Sequence, residues 1–250
     1  MDKNFLQWSF NKKSPPAWDC PNCDRGVLKP SEQFSVKSNS ETAINGSEDW
    51  WDVDYCKYVF SGILVCTTCQ EGVAIAGDGF VDREQYDDGD WGYETYLTPT
   101  YFNPPLRIVK PVVADEIPKE ITRLLSKACE MFWCDGDSAM NRLRSLVEIV
   151  LDASGIPREN KGSRLSLHHR ILLVTDVNLL DVRDALLAVK YIGNDSSHGF
   201  TGIERKDLIN AFSIVKFCLE RLYPPLSVES DIAKIIAEIN ANKGFAKKGS

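Results

Sequence analysis

The chain has only three histidines in 250 residues, the adjacent His168 and His169 and the solitary His198. It contains no Walker A loop, no Gly-x-Gly-x-x-Gly turn and no His-Glu-x-x-His pair. Those absences exclude the phosphate cradles of P-loop and dinucleotide-binding folds, and the two-histidine zinc of the metalloproteases. No apolar run approaches the ~20 residues that cross a bilayer. The opening Met-Asp-Lys-Asn-Phe-Leu-Gln lacks the basic start and apolar core of a secretion signal. A cytoplasmic protein with no membrane partner is therefore expected. In that reducing compartment eight cysteines point to metal ligation before disulfides. A basic footprint is missing as well: the net charge is −7, divided into −9 over residues 1–105 and +2 over residues 106–250. A dedicated duplex-DNA binder would carry an excess of cations that neither part has. The acidic stretch from Asp82 to Asp90 is expected to be a solvated loop.

What the sequence does contain begins with two cysteine knuckles. Trp18-Asp-Cys20-Pro-Asn-Cys23 is followed by Gly26, and Val65-Cys66-Thr-Thr-Cys69 by Gly72. Two Cys-x-x-Cys pairs suit tetrahedral Zn²⁺, because each pair grips the ion from a tight turn and four thiolates close the site to water. Such a zinc is structural, without an open position for a nucleophile. Lys57–Val65 leads into the second knuckle as a strand and Gly72–Ala76 leaves it as another, turning at Gly77-Asp78-Gly79. Residues 30–50, rich in Ser, Asn and Glu, are expected as a polar insertion between the knuckles. Cys56 either replaces one ligand or is a buried strand thiol; Cys129, Cys134 and Cys218 fall in helical stretches and are expected to pack.

Pro99, Pro104, Pro105 and Pro111 then predict an extended connection between separable parts. Beyond it the apolar spacing is helical throughout. Ile121, Leu124, Ala128 and Phe132 share one stripe, as do Leu143, Leu146, Val147 and Val150 on a helix capped by Asp137 or Ser138. Further helices are predicted near 165–174, through 183–198, over 204–223 and over 231–241. The stretch 183–200 is the unusual one, because an apolar helix runs into Gly193-Asn194-Asp195-Ser196-Ser197-His198. If the helix continues, Lys190, Asn194 and His198 stack at i, i+4 and i+8 on one face. If Gly193 ends it, the polar residues make local turn hydrogen bonds. Arg144 and Glu148 are an i, i+4 pair, either a surface salt bridge or a charged pair set toward that cluster.

Taken together, Trp18-x-Cys-Pro-x-Cys, Cys66-x-x-Cys69, Arg144-x-x-x-Glu148 and Lys190-Tyr-Ile-Gly-Asn-x-x-x-His198-Gly resemble an uncharacterised bacterial domain family. Its members occur alone or fused to restriction-enzyme motor subunits. Over most of residues 106–225 the helical part is similar to the HEPN (higher eukaryotes and prokaryotes nucleotide-binding) superfamily. Active members of that superfamily are metal-independent RNases whose Arg-Asn-x-x-x-His motif works in pairs at a dimer interface. The resemblance implies His198 as general acid/base beside Asn194, with Arg144 and Glu148 supporting. Gly193 stands where the motif has its arginine, and Lys190, one turn earlier, offers a point charge in place of a planar fork. That departure favours a non-catalytic binding or assembly module of a bacterial nucleic-acid-related or anti-phage defence system, with a metal-independent endoribonuclease as the alternative. The resemblance further implies a homodimer joined through the helical part, with RNA or a defence-system protein as partner.

The expected architecture is α+β: a small β zinc ribbon over residues 1–105, holding Zn²⁺ on Cys20, Cys23, Cys66 and Cys69, followed by an all-α HEPN-like bundle over residues 106–250.

Overall fold

The structure, a computed structural model of the chain, describes residues 9–23, 25–86, 89–110, 117–198 and 202–224 together with residues 236 and 240, the side chains of 194–198 excepted. Its organising element is a sheet. Three long strands, β4 (Lys57–Cys66), β5 (Gly72–Gln85) and β6 (Trp91–Asn103), form an antiparallel meander. Short β1 (Phe10–Asn11) adds to β6, while β2 (Leu28–Pro30) and β3 (Ser35–Ser38) both pair with β4. Alternate residues of the long strands, Phe60 and Leu64 of β4, Val73 and Ile75 of β5, Leu97 of β6, point into one apolar layer, as the period of two requires.

This corrects the expectation of a small ribbon in front of an all-α bundle: the N-terminal half carries a curled six-stranded antiparallel sheet, and the protein is a mixed α and β structure. The error lies in Gly77-Asp78-Gly79. A turn was expected there, but β5 continues past both glycines for another six residues. The glycines answer to crowding within the sheet. A Cβ at Gly77 would lie 2.1 Å from the Thr98 carbonyl oxygen, beside the bulge that puts Pro99 opposite Gly77. The acidic stretch is likewise not simply a loop, since Asp82–Gln85 complete β5. Glu84 of this stretch has a partner on β6: Tyr96 donates to it at 3.0 Å. On β6, buried Glu94 accepts from Lys13 Nζ at 2.6 Å and from Tyr86 at 3.1 Å, and the lysine holds its carboxyl below the usual range. Residues 30–50 are also partly ordered as β3 and a short helix, α1 (Ser40–Asn45), capped by Asn39.

Five further helices follow. They are α2 (Lys119–Met131), α3 (Gly136–Ala153), α4 (Leu167–Leu172), α5 (Leu180–His198) and α6 (Arg205–Leu222). The predicted helix over 231–241 lies outside the described residues, apart from 236 and 240. The central α3 buries Ala139, Met140, Leu143, Leu146, Val147, Val150 and Leu151 against α2, α5 and α6. Its cap is Asp135, which accepts from Ser138 N; Asp137, one of the two residues expected in that role, instead accepts from Ile203 N at 3.0 Å. No strands were expected beyond residue 113, yet β7 (Glu159–Asn160) and β8 (Ser163–Arg164) form a small hairpin. Lys161 and Gly162, both at positive φ, make its turn.

The two parts also meet in the core. Leu106 and Ile108, in the connection expected to be an extended spacer, are buried. Trp133, between α2 and α3, packs on Phe102 of β6 at 4.7 Å between ring centroids and on Trp18 of the first knuckle at 6.1 Å. Arg205, at the start of α6, lays its guanidinium over Phe132 and Trp133 at 4.6 and 4.5 Å, and burial pushes its pKa down to about 10. One apolar core runs through both parts. Residues 106–250 expressed alone should therefore lack a cooperative thermal transition. In the full chain Trp133→Ala should cost about 3–5 kcal/mol, measured by denaturant unfolding. A sharp transition in the isolated helical part would contradict the shared core.

Candidate functional site

The first knuckle is held by Cys20 N donating to Gly26 O at 2.9 Å, the second by Cys66 N donating to Glu71 O at 3.0 Å. Thr67 N donates to Val27 O at 2.9 Å and locks the two loops together. Only a glycine fits at 26, where a Cβ would stand 2.5 Å from Cys66 Sγ. The result brings Cys20, Cys23, Cys66 and Cys69 into one cluster, with all four sulfur atoms within 4.8 Å of one another. Cys20 to Cys69 and Cys23 to Cys66 each measure 3.7 Å. A disulfide would need about 2.05 Å; a tetrahedron of thiolates about 2.3 Å from a common centre has edges of about 3.8 Å. The donor set thus fits a tetrahedral metal ion, and the four cysteines can hold one.

The surroundings are arranged for thiolates. Thr68 N and Cys69 N donate to Cys66 Sγ at 3.3 and 3.4 Å, and Asn22 N to Cys20 Sγ at 3.4 Å. The backbone N–H of Cys69, foremost among these, pulls the Cys66 thiol down to about 6, whereas burial pushes Cys20 up to about 12. Buried sulfur of that kind is stabilised as thiolate by a cation at the cluster's centre. Cys56 is not part of it; it lies just before β4, at the opposite end of that strand from Cys66. Cys129 and Cys218 are buried, as expected from their stripes, but Cys134 is exposed.

In the helical part, α5 runs unbroken through Gly193 to His198, so Gly193 is not a terminator. Its backbone places Lys190, Asn194 and His198 one turn apart; the side chains of Asn194 and His198 lie outside the described residues. Gly193 is needed for contact with α3. Arg144 crosses over it and donates from Nη1 to its carbonyl oxygen at 3.2 Å. A Cβ at 193 would sit 2.3 Å from Arg144 Cδ and 2.8 Å from its Cγ. Arg144 therefore makes no ion pair with Glu148 among the described residues but reaches α5 instead. Lys190 lies with its ammonium 4.4 Å from the ring of its neighbour Tyr191.

Sequence reasoning missed a group of arginines beside this contact. Arg170 of α4 is buried, with Asp152 at 2.7 Å, Ile156 O at 2.9 Å and Pro157 O at 3.1 Å. Arg158 forks onto the same Asp152 at 3.0 and 2.5 Å, and this pair, with Arg170, holds the Asp152 carboxyl below its usual range. The available signal was Lys161-Gly162, a turn pair that folds the chain back and sets Arg164 opposite Glu159, the residue after Arg158.

Residues 8–102 match a family described as a domain of unknown function (DUF8608), and residues 126–242 match a second, also described as a domain of unknown function (DUF4145). No curated protein and no solved structure matches the chain. No helix among the described residues is long and apolar enough to cross a membrane.

The Arg144–Gly193 contact makes a measurable claim. Replacing glycine by alanine inside a helix ordinarily gains up to about 1 kcal/mol. Gly193→Ala should instead destabilise by about 1–3 kcal/mol, the usual cost of overpacking. Most of that penalty should vanish in an Arg144→Ala background, so that the two changes are strongly non-additive. Equal penalties in both backgrounds, measured by chemical denaturation, would show that Arg144 does not set the requirement for glycine.

Proposed function

We propose that the chain is a zinc-stabilised, HEPN-like binding or assembly module of a bacterial nucleic-acid-related or anti-phage defence system, without nuclease activity of its own. It works in the cytoplasm as a homodimer joined through its helical part, with RNA or a defence-system protein as partner. The observation that carries this reading is the crowding at Gly193. The position that would bear the phosphate-stabilising arginine of an active motif is occupied, where its Cβ would stand, by the side chain of Arg144. An arginine at 193 would have to displace that residue and Met140, whose Cε is 3.2 Å from the same point. Lys190 is a poor replacement, being a point charge that rests on Tyr191. Tyr191 and Leu172, both exposed apolar side chains of α5 and α4, support self-association through this part.

The metal is zinc in this reading. A closed set of four sulfur ligands selects zinc over magnesium or calcium, and it leaves no open coordination position for catalysis. Its work is to hold the two knuckles together, which keeps Trp18 in the core next to Cys20. Purified, reduced protein should contain one zinc per chain by elemental analysis. Chelation or Cys66→Ser should lower the melting temperature and loosen the packing around Trp18. Metal-free protein with an unchanged melting temperature would refute the assignment.

The unbroken helix through His198 favours one other reading, a metal-independent endoribonuclease in which His198 is the general acid/base, Asn194 its companion and Lys190 the cation. Incubation of the intact protein with single-stranded RNA in chelator separates the two. The binding module leaves the RNA whole. Cleavage that disappears in His198→Ala, with the melting temperature unchanged, would establish the nuclease and overturn the proposal.

A further inference from the structure

Beside the Arg144–Gly193 contact lies an open cavity of about 400 Å³ whose wall includes Arg144 and Glu148 of α3, Arg158 just before β7, Arg164 of β8, and Arg170 of α4. Four guanidiniums around one cavity are unusual in a chain of net charge −7. They are not all neutralised from within. Asp152 serves both Arg158 and Arg170, so one carboxylate is shared by two cations. Among the described residues no carboxylate stands within ion-pair distance of Arg144 or of Arg164. Among the described residues Arg144 donates to a backbone carbonyl, and Glu159, the register partner of Arg164, forms no ion pair with it. Four positive charges therefore face Glu148 and Asp152, which leaves an excess of two.

We propose that this cavity binds a phosphate monoester whose body carries hydroxyl groups, of the sugar-phosphate class. The charge argument selects phosphate over carboxylate: a monoester carries about −1.5 to −2 at neutral pH, which matches the excess, and its three oxygens suit planar guanidinium forks. Arg164 and Arg144 are the residues with donors to spare, while Arg170 and Arg158 are held in place by Asp152 and fix the field. Glu148 argues for the rest of the ligand. A carboxylate inside a cationic cavity repels a bare anion but accepts hydrogen bonds from hydroxyl groups, so it favours a phosphate attached to a polyol over inorganic phosphate. Leu165 and Leu167 supply an apolar wall for the carbon skeleton. Arg144 lines this cavity and also makes the Gly193 contact behind the proposed function, so the two readings share that residue, but ligand binding is read by calorimetry and not by RNA cleavage.

Calorimetric titration of the full-length protein, in phosphate-free buffer at low salt, tests the proposal with ribose 5-phosphate, adenosine 5′-monophosphate and inorganic phosphate as probes. Ribose 5-phosphate, the nucleotide or both should bind saturably and at least tenfold more tightly than inorganic phosphate; the arm that binds identifies whether the free sugar phosphate or its nucleotide is the source. Arg164→Ala, at an exposed position of a two-residue strand, should weaken binding at least tenfold with no change in melting temperature. Glu148→Ala should narrow the preference for the ester over inorganic phosphate. Absence of saturable binding by every probe, equal binding of inorganic phosphate and the esters, or binding indifferent to Arg164→Ala would each overturn the proposal. Arg144→Ala gives an independent check from the opposite wall, and should also lose at least tenfold.

Discussion

Trp18 is placed two residues before the first cysteine of the cluster and is almost completely buried. Its ring meets Phe10 of β1, Phe102 of β6 and Trp133 of the helical part, all edge-on at 5.2 to 6.1 Å between centroids. Trp133 in turn meets Phe132, and Phe132 meets Phe212 of α6. This aromatic chain joins the cysteine knuckle, the sheet and the helices in one packed layer. Edge-to-face geometry adds roughly 0.5–1.5 kcal/mol per pair beyond the area buried. More important is the constraint it imposes: the knuckle cannot open without exposing Trp18, and Trp18 cannot leave without uncovering Trp133. A metal ion at the four sulfurs would thus bear on the helical half, although it touches none of it.

Arg205 closes the same layer from the helical side. A guanidinium is the least costly cation to bury because its charge is spread over a plane and its hydration is weak. Stacked on Phe132 and Trp133, it covers ring faces that would otherwise meet solvent at the start of α6. Lysine would not reproduce this, since its compact charge keeps more water and has no flat surface to offer. The helical half repeats the logic at its other end, where Arg170 is buried by Asp152 and two carbonyl oxygens. Each buried arginine sits at a place where separate elements converge.

The two candidate sites differ in how they are built. The cysteine cluster is local: each pair comes from one tight turn, and only the meeting of two turns is left to the fold. The helical site is a tertiary construction. Arg144 reaches Gly193 across 49 positions of sequence, and the cavity beside them draws on α3, a hairpin and α4. Glycine at 193 is consistent with this, because the absent side chain is what lets α3 and α5 approach.

The sequence by itself determined which four cysteines come together, the positions of α2, α3, α5 and α6 and their buried stripes. Spacing carries that information directly: Cys-x-x-Cys closes one turn, and apolar residues at i, i+3, i+4 and i+7 define one helical face whatever packs on it. It did not determine the extent of the sheet. Gly77 and Gly79 read locally as a turn, and only the neighbouring strand, pressing Thr98 O into the space of a Cβ, makes them strand residues. Glu84 reads as solvated charge until β6 supplies the Tyr96 hydroxyl that donates to it. Nor could the sequence say that the proline-rich connection enters the core, where Leu106 and Ile108 are buried. The choice between Gly193 as a helix end and Gly193 as a contact was made by Arg144. Each of these outcomes depends on which distant atom fills a particular space, and local spacing carries no record of that.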